Sequence, residues 1–284
     1  MGSLRTRMEH DLVVRGRSEH TRRAYLRAVT DLARYHRRAP DQLTDHEVQQ
    51  YLRYLIEERH LAWASCRQTV GALRFFYEVT LGRPRHDFSL PMPKAARRLP
   101  QILSRQEVAR VLDGTQNLKH RLLLMTTYAA GLRVSEVVRM RVSDIDSQRM
   151  LIRVEQGKGK KDRYTLLSPR LLVELRRYYR VYRPTEWLFT DRRRPTPMDP
   201  CSASRIYQAA KQRAGIPKAG GIHTLRHSFA THLLESGIDV VSIQRLLGHA
   251  RVETTARYLH VTPQHVGVRA SPLDQLPGPP AAPA

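Results

Sequence analysis

Ten residues, Pro91 to Pro100 (PMPKAARRLP), constrain the fold of this chain more than any other feature. Prolines at 91, 93 and 100 remove backbone donors and clash with a preceding helical turn, so no helix runs through them. The chain on either side is long enough to bury its own core. The decapeptide therefore reads as a linker between two domains, spanning 1–90 and 101–270. The last segment, 271–284 (SPLDQLPGPPAAPA), holds five prolines and reads as a disordered Pro/Ala-rich tail.

Charge narrows the function. Lys and Arg number 49 against 26 Asp and Glu in 284 residues, a formal charge of +23. The surplus is +5 over 1–90, +3 within the linker and +16 over 101–270. So large an excess repels itself in a folded protein, and a polyanion is the partner that uses it. Apolar residues make up 41%, so most of the chain is expected to fold rather than stay disordered. No apolar run approaches the ~18 residues of a membrane span. The first twenty residues lack the apolar block of a signal peptide. Cys66 and Cys201 stand 135 positions apart and form neither a metal-ligand nor a disulfide spacing. Secreted, membrane-spanning and zinc-finger classes are excluded, and a reducing compartment that holds nucleic acid, the cytoplasm, is expected.

The first domain reads as all helix. His20–Arg38 carries Tyr25, Leu26, Val29, Leu32, Ala33 and Tyr35 near a spacing of 3.6. Thr44 with Glu47 three residues on forms a capping box before Val48, Tyr51, Leu52 and Leu55. A third helix is expected over Ser65–Val79. The second domain opens on another capping box, Ser104 with Glu107, and Gly114 closes that helix. Leu122–Ala130 reads as a buried helix, continued over Arg133–Met140. The apolar period then changes to two at Met150, Ile152 and Val154, and Tyr164–Leu167 returns after GKGKKD. That is a β-hairpin with a Lys- and Gly-rich tip. From Pro169 onward the pattern is helical again apart from 191–200. The expected class is mainly α, with a small β-sheet in the second domain.

Four patches carry chemistry. Arg133 and Glu136 lie three apart on one helix face after Gly131. Lys158 stands between glycines on the hairpin tip, placed to reach a groove and give up a proton. His223 and Arg226 open a helix, where free N–H groups and the dipole favour an anion. Leu246-Leu247-Gly248-His249 is followed nine residues later by Tyr258. Arg presents a rigid donor fork to phosphate oxygens. Tyr is a poor nucleophile until cations stabilise its phenolate or a base takes its proton. No Asp/Glu cluster of the kind that holds Mg²⁺ is visible. Phosphoryl transfer by cations and a covalent Tyr is the economical reading, with no cofactor and no metal.

Taken together and in this order, the patches resemble the tyrosine recombinases, or phage integrase family, most of all its Xer-like and integron-integrase-like members. The likeness is strong over about 101–265 and looser over 18–90, the helical core-binding domain. It implies a C-shaped clamp around a duplex and site-specific DNA strand exchange. On the matching positions Arg133 is the first catalytic arginine and Glu136 its acidic companion. Lys158 is the hairpin lysine and general acid, and His223 and Arg226 are the His-x-x-Arg box, His223 assisting the Tyr proton. His249 joins the arginines at the phosphate, and Tyr258 is the nucleophile. Lys160, Lys161, Arg163, Arg22, Arg97 and Arg98 are the expected DNA contacts. The resemblance also implies double-stranded recombination sites as partner, four protomers on two duplexes, a Holliday junction, and a second recombinase as a possible partner. It implies the bacterial cytoplasm, at the nucleoid. A tyrosine-type topoisomerase and a catalytically silent DNA-binding protein are the alternatives. One departure stands out: the residues after Tyr258 show little of the helical periodicity of the family's terminal docking helix.

Overall fold

A computed structural model describes residues 2–83, 101–155, 162–191, 195–249, 251–256 and 258 of the chain. The linker, the hairpin tip at 156–161 and the tail lie outside the described residues. The chain divides into two compact units, Met1–Ala96 and Arg97–Ala284.

The first unit is helical: α1 (Gly2–Val14), α2 (Glu19–His36), α3 (Asp45–Glu57) and α4 (Trp63–Arg74). Helix α1 is charged on nearly every side, and only Met8 and Leu12, one turn apart, are buried. That is why its apolar periodicity is faint. The Thr44–Glu47 capping box forms, with the Thr44 N–H on Glu47 Oε2 at 2.9 Å and the Glu47 N–H on Thr44 Oγ1 at 3.3 Å. The helix expected over Ser65–Val79 begins at Trp63 and, from Phe75 to Thr80, widens into a π-helical turn. The wider turn brings three consecutive aromatics, Phe75, Phe76 and Tyr77, into one core with Leu12, Leu32, Leu52 and Leu73. Burial of each such side chain stabilises by ~1.5–3 kcal/mol.

The second unit contains α5 (Arg105–Asp113), α6 (Leu118–Ala129) and α7 (Val134–Val137), then β1 (Ile145–Asp146), β2 (Leu151–Val154) and β3 (Arg163–Leu166). It continues with α8 (Pro169–Tyr182), α9 (Pro200–Arg213), α10 (His223–Glu235), α11 (Val240–Leu247) and α12 (Glu253–Ala256). The fold is mainly α with one small sheet. Helix α7 is shorter than the expected Arg133–Met140. The Met140 carbonyl accepts from Leu188 N–H at 2.8 Å and Val142 N–H donates to Glu186 at 3.0 Å, which draws the chain into extended pairing. The sheet is antiparallel in the order β1-β2-β3, one strand more than the expected hairpin. Its register sets Ile152 opposite Thr165 and Val154 opposite Arg163. Met150, expected in β2, instead has a φ of 55° in the turn before it.

Two features of this unit position the site. Helix α10 is buried on most of its circumference, including Leu225, Arg226, Phe229 and Ala230, as befits a central helix. Strand β3 is pinned beneath the α6 end, where Thr165 Oγ1 donates to the Ala130 carbonyl at 2.9 Å. No helix of the described residues is long and apolar enough to cross a membrane.

Candidate active site

The site is built on the C-terminal end of α11. Gly248 adopts the left-handed conformation (φ 63°), its N–H returning to Arg245 and that of His249 to Gln244. This Schellman arrangement satisfies two carbonyls of the last turn and leaves the next three pointing outward. Each meets an arginine. Leu246 accepts from Arg163 Nε at 2.9 Å, Leu247 from Arg226 Nη2 at 2.6 Å and Gly248 from Arg133 Nη2 at 3.2 Å. The negative end of a helix dipole favours cations at this position.

A single carboxylate ties the three guanidiniums together. Glu136 receives Arg133 Nη1 at 2.6 Å, and Arg163 Nη1 and Nη2 at 2.8 and 2.7 Å, a bidentate pair. The backbone N–H of Arg133 adds a fourth bond at 2.8 Å, and Arg226 Nη1 stands 3.6 Å away. Burial pushes the Glu136 pKa up, but the Arg163 hydrogen bonds and charge, with Arg133 behind them, bring it down to about 2.

Arg226 is almost wholly buried, at 4% exposure. Its Nη1 also donates to the Gly131 carbonyl at 2.7 Å. Gly131 has a φ of 60°, and a Cβ there would lie 2.3 Å from Phe229 Cδ1, so the turn that presents this carbonyl admits only glycine. Burial and then the Arg133 charge lower the Arg226 pKa to about 9, with Glu136 opposing them. Arg226 is still a cation at neutral pH. Among the described residues, three guanidiniums surround this one carboxylate in a largely water-excluded place, an arrangement suited to an anion.

His223 is the first residue of α10 and is exposed. Desolvation by its neighbours, then the charges of Arg226 and Arg133, lower its pKa, while Glu136 pulls the other way. A neutral imidazole is therefore favoured, able to donate one N–H. His249 Nδ1 shares a hydrogen bond with Thr255 Oγ1 at 2.8 Å. Tyr258 follows α12, and its ring is buried against Phe229, Ala230, Leu234, Ile243 and Leu247. Its hydroxyl meets His227 Nδ1 at 2.7 Å.

The structure thus brings Arg133, Glu136, His223, Arg226, His249 and Tyr258 into one region. Lys158, Lys160, Lys161, Arg97 and Arg98 lie outside the described residues. Arg22 sits on α2 in the other unit, half-buried, with its Nε enclosed.

Arg163 differs from expectation. It is not a surface contact like the neighbouring lysines but a buried strut, its side chain 9% exposed. Strand parity gives the reason. Thr165 and Arg163 face Ile152 and Val154 in register and share their inward side, while Tyr164 and Leu166 are exposed. Sequence reasoning also missed His227 and Thr255. The position of His227 next to Arg226, on the helix that also carries His223, is the signal that was available.

Comparison with known proteins identifies the family. Residues 99–265 match the phage integrase family, and residues 4–87 match the phage integrase N-terminal SAM-like domain. An integrase/recombinase of Sinorhizobium fredii is 46% identical over 284 residues, covering 100% of this chain and 92% of that protein. The tyrosine recombinase XerA of Pyrococcus horikoshii is 34% identical over 221 residues, 76% of each chain. Among solved structures, XerA recombinase is 27% identical with a TM-score of 0.55, over 93% of this chain and 95% of its own. A lambda integrase dimer bound to a core site has the same fold, with a TM-score of 0.74 at 21% identity over 91% and 94% of the two chains. The chain belongs to the phage integrase family, the tyrosine recombinases.

Proposed function

We propose that this recombinase cuts and rejoins double-stranded DNA at a specific site through a covalent bond to Tyr258. The observation that carries the reading is the buried cluster of Arg133, Arg163 and Arg226 around one carboxylate, with a surplus of positive charge beside the Tyr258 ring. A scissile phosphate is an anion that such a cationic cluster suits. The DNA complexes known among chains of this fold support the choice of polymer.

In this mechanism Tyr258 Oη attacks the phosphorus and the bond to the 5′-oxygen breaks, leaving a 3′-phosphotyrosyl link and a free 5′-hydroxyl. Arg133, Arg226 and His249 hold the non-bridging oxygens as charge builds there. His223, favoured neutral, donates its N–H to the same oxygens. Glu136 and Arg163 fix the planes of the two phosphate-binding guanidiniums. Lys158 protonates the leaving oxygen. The phosphotyrosyl bond conserves the phosphodiester energy, so religation needs neither ATP nor a metal. Four protomers on two duplexes would exchange strands through a Holliday junction, either as one kind of subunit or with a second recombinase.

A suicide half-site, in which the cleaved fragment diffuses away, tests the reading. Wild-type protein should accumulate a covalent adduct that maps to Tyr258, and Tyr258→Phe should bind the same DNA and form none. No adduct from wild type would leave a silent DNA-binding protein. Relaxation of supercoils without a specific site would identify a topoisomerase.

A further inference from the structure

A phenol ionises near pH 10, so an attacking tyrosine at neutral pH needs a group that takes its proton as the new bond forms. That group must lie within hydrogen-bond reach of the hydroxyl. The arginines are excluded because they carry no lone pair for a proton. His223 stands at the first turn of α10, next to Arg226 and Arg133 in the phosphate cluster. His227 lies one turn further along the same helix, and its Nδ1 is 2.7 Å from the Tyr258 hydroxyl.

The contact is built rather than incidental. Tyr258 lies in one buried apolar cluster with Phe229, Ala230, Leu234, Ile243 and Leu247 and is 1% exposed. The Tyr258 N–H donates to the Thr255 carbonyl at 3.0 Å, which fixes the backbone from which the ring projects. The two rings stand 5.7 Å apart at 50°, so the hydroxyl approaches the edge of the imidazole, where Nδ1 has its lone pair in the neutral tautomer protonated at Nε2.

Resting on the recombinase reading, we propose that His227, and not His223, is the proton acceptor for Tyr258. As the Oη–P bond forms and the P–O5′ bond breaks, the phenolic proton passes to His227 Nδ1. The leaving 5′-oxygen takes its proton from Lys158. On religation the 5′-hydroxyl returns a proton to the lysine, and the imidazolium returns its own to the departing Tyr258 oxygen.

Single-turnover adduct formation on the suicide half-site tests this. Asn at 227 keeps a hydrogen-bonding atom near the place of Nδ1 but takes up no proton at neutral pH. His227→Asn should slow cleavage by about 10²–10⁴-fold with DNA affinity unchanged. Replacing Tyr258 with a fluorinated tyrosine that ionises near neutral pH removes the need for a base. In that background the His227→Asn defect should shrink to within about tenfold, since most of the base's ~10²–10⁴-fold contribution is no longer required. His223→Asn should be slow in both backgrounds. Should the Asn protein fail to fold, His227→Gln serves the same comparison. Wild-type rates for His227→Asn, a defect undiminished by the fluorinated residue, or fluorine rescue of His223→Asn in its place would each overturn the assignment. Because wild-type protein must first form the adduct, failure of the recombinase reading is distinguishable from failure of this one.

Discussion

A β-carbon on Gly248 would stand 2.7 Å from Arg163 Cδ, so the turn that ends α11 and the arginine that grips Glu136 are packed to the limit against one another. Gly248→Ala therefore meets two penalties. The left-handed backbone costs roughly 1–2 kcal/mol for any other residue, and Arg163 must also leave its bidentate position. Gly215 supplies the control. It has the same φ of 63° but nothing within 4 Å of a Cβ. Thermal or urea unfolding should show Gly248→Ala less stable than Gly215→Ala, and equal losses would mean that the Arg163 contact contributes nothing.

Glu136 makes the site sensitive to acid. Its folded pKa is held at about 2, against an ordinary 4.5. A lowered carboxylate pKa means that the folded state binds the proton less readily than the unfolded one. The contribution is fully present above about pH 4.5 and is lost as pH falls towards about 2, on the order of 3 kcal/mol over that window. Glu136→Gln should lose this limb of the stability profile. At neutral pH it should cost about 3–5 kcal/mol, because three guanidiniums are left crowded without their counter-charge. An acid limb of wild-type size in the Gln protein would refute the link.

Binding to DNA should weaken steeply with salt. Neutralising ~6–10 phosphates costs on the order of 10³–10⁵ in affinity between 50 and 200 mM salt. A titration by fluorescence anisotropy measures the slope directly. A flat response would show that the +23 charge is not spent on the phosphate backbone.

The leaving group would distinguish Lys158 from its neighbours. Lys158→Ala should cleave an ordinary site slowly, since general acids contribute ~10²–10⁴-fold. Sulfur in place of the bridging 5′-oxygen departs without a proton. On that substrate Lys158→Ala should return to near the wild-type rate, while Arg133→Ala and Arg226→Ala stay slow. Rescue of Lys160→Ala or Lys161→Ala in place of Lys158→Ala would move the general acid to that lysine.

Local rules made much of this legible in the sequence. Capping boxes at Thr44 and Ser104 stand where the helices begin, and the change of period at Ile152 and Val154 marks the sheet. Arg133, Glu136, His223, Arg226, His249 and Tyr258, which the fold brings into one region, stand out in the sequence through their order along the chain. What stayed hidden depends on long-range partners. Arg163 reads as one more cation until the register places it opposite Val154 and above Glu136. The carbonyls of Leu246, Leu247 and Gly248 have no sequence signature, because every residue carries one. The π-helical turn at Phe75–Thr80 answers to packing, not to local propensity.

The end of α11 has a further consequence. From Arg133 a line of contacts runs through the Gly248 carbonyl to His249, from the His249 ring to Thr255, and from the Thr255 carbonyl to the Tyr258 N–H. The groups that would receive a phosphate and the group that would attack it share one short stretch of backbone. A ligand that pulled the guanidiniums towards itself would also act on that stretch, so anion affinity and the placement of Tyr258 would be linked equilibria. Linkage is reciprocal: a substitution that moves Tyr258 would then change the affinity for phosphate by the same factor by which phosphate changes the placement of Tyr258.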